Sequence, residues 1–156
     1  MRWVLDVIEE PSGELLRRLI SALAQHSSSV MMVLRDELGL SETGQALLTR
    51  LHPHLLKRER RSSWPGTTLL GEEATVLRFA LGTKVLEELL AASNSLFGWQ
   101  QPELPEDLAL LRADETVVLG SISHEHDAYL DINDEEYQSL VATVPEMRQI
   151  MRPHEA

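Results

Sequence analysis

The chain has 156 residues, 43% hydrophobic and 25% charged, with no cysteine and a formal net charge of −11. That length buries a core without staples, and the composition excludes a disordered chain. The missing thiols exclude disulfides, cysteine nucleophiles and Cys-ligated zinc or iron–sulfur sites. The charge is lopsided: residues 103–156 hold 13 acidic and 3 basic side chains, against 12 and 11 in residues 1–102. Such a field repels nucleic acid and anionic membrane, and it attracts basic proteins and metal cations. Aromatics at 4% leave few platforms for base stacking. No apolar run approaches the roughly 20 residues that span a bilayer. The first apolar stretch soon meets Asp6, Glu9 and Glu10, so a signal peptide is not expected. The lack of cysteine favours the cytoplasm.

Residues 3–8 are short, apolar and partly β-branched, and Pro11-Ser12-Gly13 stops them, which predicts a strand. Ser12 is the expected cap of a helix over 14–25, where Leu15, Leu16, Leu19, Ile20 and Leu23 recur at helical spacing. After three serines, Val30-Met31-Met32-Val33-Leu34 reads as a strand buried on both faces. Ser41 is placed to cap a second helix carrying Leu47, Leu48, Leu51 and Leu55, with a break near His52 imposed by Pro53. The only basic cluster, residues 57–61, reads as a solvated helix end.

Trp64-Pro65-Gly66-Thr67 is a turn signal, and residues 67–70 and 74–81 suggest a hairpin across Gly71-Glu72-Glu73. Thr83 is the expected cap of a helix running to about residue 96, with Val85, Leu86, Leu89 and Leu90 inward and Gly98 closing it. Residues 100–105 are a Pro-bounded connection, the best placed of the loops for function. Residues 108–111 and 116–123 form a second predicted hairpin, and residues 129–132 extend its sheet. Asn133 and Glu136 then make a capping box for a helix with Tyr137, Leu140, Val141 and Val144 buried. The mixture lacks a βαβ repeat. It predicts an α+β fold: a single compact domain over residues 1–156, mostly antiparallel sheet packed by three to four helices, with disorder in the last few residues.

The sharpest chemical feature is Ser123-His124-Glu125-His126-Asp127. On a continuing strand, His124 and His126 face the same side about 7 Å apart. Such a pair suits a divalent metal, though it needs further ligands. The metallo-β-lactamase pattern H-x-H-x-D-H is not met, because Ala128 and Tyr129 stand where its aspartate and last histidine belong. His52 and His54 repeat the spacing in a proline-kinked segment. Residues 131–136 resemble the start of a calcium loop, but Glu136 and Ala142 occupy the positions that need Gly and Glu. Ser121, Ser123, His124 and Asp127 hold the residue types of a triad but are neighbours in one strand, and a triad is a matter of convergence. Phosphate-loop, dinucleotide and nucleophile-elbow motifs are missing. No enzyme class and no cofactor is indicated.

Four separated blocks carry a resemblance: Trp64-Pro65-Gly66-Thr67, Leu96-Phe97-Gly98-Trp99, Leu104-Pro105-Glu106-Asp107-Leu108-Ala109 and His124-Glu125-His126-Asp127-Ala128-Tyr129-Leu130. Together they resemble a small uncharacterised bacterial family, and they define no chemistry. In size and acidity the chain also looks like bacterial immunity proteins, a likeness of general character that carries over no functional residue. The expected function is an acidic binding module, most concretely an immunity-type inhibitor of a basic toxin or nuclease. Glu125, Asp127, Asp131, Asp134 and Glu135 are its electrostatic candidates, and Trp99, Tyr129 and Trp64 its candidate apolar anchors, with core packing the expected role of at least two of the three. The alternatives are a metal-dependent hydrolase or metal-binding regulator centred on His124 and His126, and a scaffold or assembly subunit using a sheet edge.

Overall fold

Apolar runs that alternate between two buried sides organise this molecule. A computed structural model describes residues 1–155. The strands are β1 (Arg2–Val7), β2 (Ser29–Leu34), β3 (Leu55–Arg61), β4 (Ser63–Trp64), β5 (Thr67–Thr68), β6 (Ala74–Ala80), β7 (Glu106–Leu111), β8 (Val117–Ile122), β9 (Asp127–Asn133) and β10 (Met151–Pro153). The helices are α1 (Gly13–Ala24), α2 (Glu42–Leu51), α3 (Thr83–Ala92), α4 (Asp134–Thr143) and the single turn α5 (Met147–Ile150). Eight strands form one antiparallel sheet in the order β10-β1-β9-β8-β7-β2-β6-β3, while β4 and β5 make a separate small hairpin. This is an α+β single domain. No helix among the described residues is long and apolar enough to cross a membrane.

The helices bury one face of the sheet. Leu16, Leu19, Ile20 and Leu23 of α1 join Leu47, Leu51, Val85, Leu89 and Leu140 in one core with Val30, Met32, Leu77, Phe79, Leu108 and Leu110 from the strands. Alternate residues of the same strands, Met31, Val33, Ala74, Val76, Ala109 and Leu111, form a smaller cluster with Trp64 on the opposite face. The two-sided burial expected of β2 is therefore real, with the β4–β5 hairpin region as its second cover.

Local signals explain the helix starts. Ser41 caps α2 by accepting from the Gly44 N–H at 3.3 Å, and α2 ends at Leu51, before a 3₁₀ turn over His52–His54 that contains Pro53. Asn133 and Glu136 form the expected capping box at α4. Several expectations need correction. Ser12 holds the N-cap position of α1 without a side-chain bond, and Gly82 rather than Thr83 is the N-cap of α3. Helix α3 stops at Ala92, well before Gly98, which lies in a 3₁₀ turn. The basic cluster is not a helix end but the edge strand β3; cations on a sheet edge discourage further pairing. Strand β6 pairs with β2 and β3, and residues 67–68 pair with β4, so the hairpin expected across residues 71–73 does not form. The tail is ordered further than expected. β10 pairs with β1, and His154 Nδ1 lies 2.8 Å from Asp6 Oδ2; Ala156 falls outside the described residues.

Candidate functional site

At one end of the sheet β2 and β8 finish and β7 and β9 begin. There the pairing of β2 with β7 steps from Met31↔Ala109 to Val33↔Glu106, so two residues of β7 oppose Met32. The bulge places Asp107 in the left-handed region at φ 55°, which short polar side chains tolerate better than others. Its buried carboxylate then meets two donors. The Ser123 N–H donates to Oδ1 and the Trp64 indole N–H donates to Oδ2, each at 2.9 Å.

Glu106, the neighbouring residue, is fully buried. Its Oε1 accepts from the Gln101 N–H at 2.9 Å and lies 2.9 Å from His124 Nε2, while Oε2 has no partner. Burial pushes the Glu106 carboxyl above its usual range, against the opposing pull of the Gln101 amide and the His124 ring. His124 Nδ1 is 2.8 Å from the Gln100 side-chain amide. With that amide donating, the ring proton sits on Nε2 and points to Glu106. His126, at φ 52°, stacks on Phe97 with 5.4 Å between ring centroids, and Glu10 holds Phe97 by accepting its N–H at 2.7 Å.

Together these contacts pin a surface turn from beneath. Residues 123–125 form a 3₁₀ turn whose underside is tied to β7, while Glu125, His126 and Asp127 are exposed. Segments distant in sequence meet here: Trp64 on Asp107, Phe97 on His126, and Glu106 on His124.

A Glu–His pair suggests a general base, but the remaining chemistry is missing. In such a base the second ring nitrogen faces a nucleophile, whereas here it meets Gln100. The Ser123 hydroxyl is buried without a partner, and Ser121 Oγ donates to the Leu108 carbonyl at 2.7 Å. Asp127 is exposed, and both ring nitrogens of His124 are engaged by Gln100 and Glu106, so these four residues make no triad. The metal alternative relied on strand alternation. The 3₁₀ turn removes it, sending His124 to Glu106 and His126 to Phe97. Among the described residues, no three His, Asp or Glu side chains converge as metal ligands.

The expected partner-binding residues separate into groups. Glu125 and Asp127 flank the pinned turn, whereas Asp134 and Glu135 are exposed in the first turn of α4. The intervening strand β9 puts about 23 Å between Asp127 and Asp134, so these carboxylates do not share one patch. Asp131 lies between them, held by Arg2. Two of the three aromatics take the core role rather than the anchor role: Trp99 is 2% exposed and Trp64 4%, both packed inside. Tyr129 is half-buried beside Gly120, where an added Cβ would lie 2.5 Å from its ring. Burial, with Asp131 nearby, raises the Tyr129 hydroxyl above its ordinary value.

Part of the acidic surplus is neutralised internally. Arg2, Arg18 and Arg78 reach from the first two-thirds of the chain to Asp131, Glu146 and Glu115, and Arg112 binds Glu136 at 2.6 Å. Burial alone would raise the Glu136 carboxyl, but Arg112 and the Asn133 N–H outweigh it and hold it low. Gln100 and Gln101 lie in the loop that the sequence marks as best placed for function, whereas Glu106 and Asp107 were missed as site residues. The available signal was two acids opening an apolar strand, a placement that demands buried partners. No family model, curated protein or solved structure matches this chain.

Proposed function

We propose that the protein is an acidic binding module, most concretely an immunity-type inhibitor that neutralises a basic toxin or nuclease in the cytoplasm by direct contact. The observation that carries this reading is the pinned turn. Asp107, Glu106, Gln100 and Phe97 hold residues 123–126 from below, and among the described residues Glu125 and Asp127 have no ion pair at the surface. A carboxylate pair presented on a preorganised turn loses little entropy on docking, and it steers a cationic partner during encounter. Buried Trp99 and Trp64 shape the platform and do not touch the partner. Half-exposed Tyr129 is the remaining aromatic anchor.

The test uses the full chain as bait in an extract of its source organism, beside a Glu125→Lys/Asp127→Lys variant shown by circular dichroism to be folded. A single basic protein retained in stoichiometric amount by the parent and lost by the variant supports the proposal. Equal retention by both baits would remove the turn as the docking element.

A further inference from the structure

Arg35 follows β2 by one residue in extended backbone, φ −89° and ψ 129°. The buried Gln101 side chain clamps its main chain. The Arg35 N–H donates to Gln101 Oε1 at 2.7 Å, and Gln101 Nε2 donates to the Arg35 carbonyl at 3.1 Å. Gln101 is in turn bound through its own N–H to Glu106, so one network positions Arg35 and the acidic turn. The Arg35 guanidinium lies 5.3 Å from the centroid of the Trp64 ring, and Trp64 is fixed by Asp107.

This guanidinium is unusual in its chain. Arg2, Arg18, Arg50, Arg60, Arg78 and Arg112 each hold a carboxylate. Among the described residues Arg35 has no ion pair, and its Nε is buried without an acceptor. Both oxygens of nearby Asp107 are taken by Trp64 and Ser123. Arg17, Arg58, Arg148 and Arg152 also lack carboxylates, but they are exposed to water. Arg35 is half-buried against an indole, where an unmatched charge is costly. The backbone of Arg61, whose guanidinium is paired with Glu59 at 3.5 Å, runs close by. Arg61 pairs with Ala74, the register position next to Thr75, which pairs with Leu34. Two strand spacings make that about 10 Å from the Arg35 backbone.

We propose that Arg35, backed by the face of Trp64, is a receptor for a carboxylate, supplied by an aspartate or glutamate side chain of a protein partner. The planar fork of a guanidinium matches the two oxygens of a carboxylate, and the indole face 5.3 Å away favours the cation beside it. Strands β2 and β8 flank β7, so Arg35 and the turn at residue 123 lie about 10 Å apart at the same end of the sheet. A partner covering both presents an acid beside its bases, a pattern that rejects uniformly basic surfaces. Only this shared footprint rests on the acidic-turn reading; the carboxylate site stands without it.

The test is a side-chain N–H NMR titration of the ¹⁵N-labelled full chain with sodium acetate. Sodium chloride at matched ionic strength is the control, and inorganic phosphate is the second arm. The expected result is saturable movement of the Arg35 Nε–H and Trp64 Nε1–H signals with acetate alone. The Trp64 response should be lost in Arg35→Gln and weakened at least tenfold in apparent affinity in Arg35→Lys. Thermal melts establish that the variants fold, and the wild-type titration decides the matter if one does not. Movement equal to that with chloride, an unchanged Trp64 response in Arg35→Gln, or saturation by phosphate below the acetate concentration would each overturn the proposal. Acetate binding that persists in the folded Glu125→Lys/Asp127→Lys variant separates this site from the acidic turn.

Discussion

Asp107 is the residue whose replacement reports most directly on how the turn is held. Its carboxylate accepts from Trp64 Nε1 and from the Ser123 N–H, both at 2.9 Å, and the residue is 3% exposed. Hydrogen bonds to a charged acceptor contribute about 1.5–3 kcal/mol each, and removing the acceptor strands two buried donors. Asp107→Gly should therefore cost about 3–6 kcal/mol. Alanine at φ 55° adds a left-handed penalty. That penalty is about 1–2 kcal/mol; the unfolded-state freedom of glycine offsets about 0.4–1 kcal/mol of it. Alanine should thus fall below glycine by roughly 0.5–1 kcal/mol. Asparagine keeps one acceptor and tolerates the backbone, so it should cost only about half as much as glycine. Urea unfolding measures the series. With a slope of about 2 kcal/mol per molar, Asp107→Gly moves the midpoint down by about 2 M. The amide signal of Ser123 should lose exchange protection in the Gly and Ala variants. An alanine variant more stable than glycine, or an Asp107→Gly cost under about 1 kcal/mol, would refute this account of the bulge.

The Glu106 carboxyl is raised in the fold, so its contribution is full below the unfolded carboxyl range and is lost as pH rises through the folded value. Glu106→Gln should accordingly gain stability relative to the parent as pH rises from about 4 to 8, and the opposite slope in urea unfolding would contradict the burial argument. Arg112 bonds Glu136 at 2.6 Å and the carbonyls of Val117 and Asp131 at 2.8 Å each. Arg112→Ala should therefore cost about 3 kcal/mol by leaving a poorly exposed carboxylate alone, and a cost below about 0.5 kcal/mol would show the bridge to be decorative. Gly120→Ala places a Cβ 2.5 Å from the Tyr129 ring. It should cost about 1–3 kcal/mol, less in a Tyr129→Ala background, and a double-mutant cycle without coupling would mean that the ring moves aside freely.

Where local rules act alone, the residues were readable. The Ser41 cap, the Asn133–Glu136 box and the period of Leu15 to Leu23 all report within one or two helical turns, and the helices formed where they pointed. Strands β2 and β8 were readable from their apolar runs. Edge status was not: residues 57–61 look helical or solvated until β6 is known to lie beside them, because one side of an edge strand accepts cations. The candidate site was half legible. Ser123 to Asp127 stood out by composition, but the strand assumed for it put His124 and His126 on one face. In the fold, partners distant in sequence set the turn: Trp64 lies 43 residues from Asp107, and Ser123 lies 16 residues from it. Tertiary satisfaction of buried carboxylates leaves no periodic signal.

The most direct test of the central claim is the association rate of the captured partner with the parent and with the folded Glu125→Lys/Asp127→Lys variant, followed by stopped flow across a salt series. At 0.1 M salt, charges act over about 10 Å, and added salt shortens that reach. If the pinned turn guides docking, the parent rate falls steeply with salt, and the variant is at least tenfold slower at low salt and nearly flat. Equal rates for both proteins, insensitive to salt, would contradict the claim and leave the acidic turn without a role in binding.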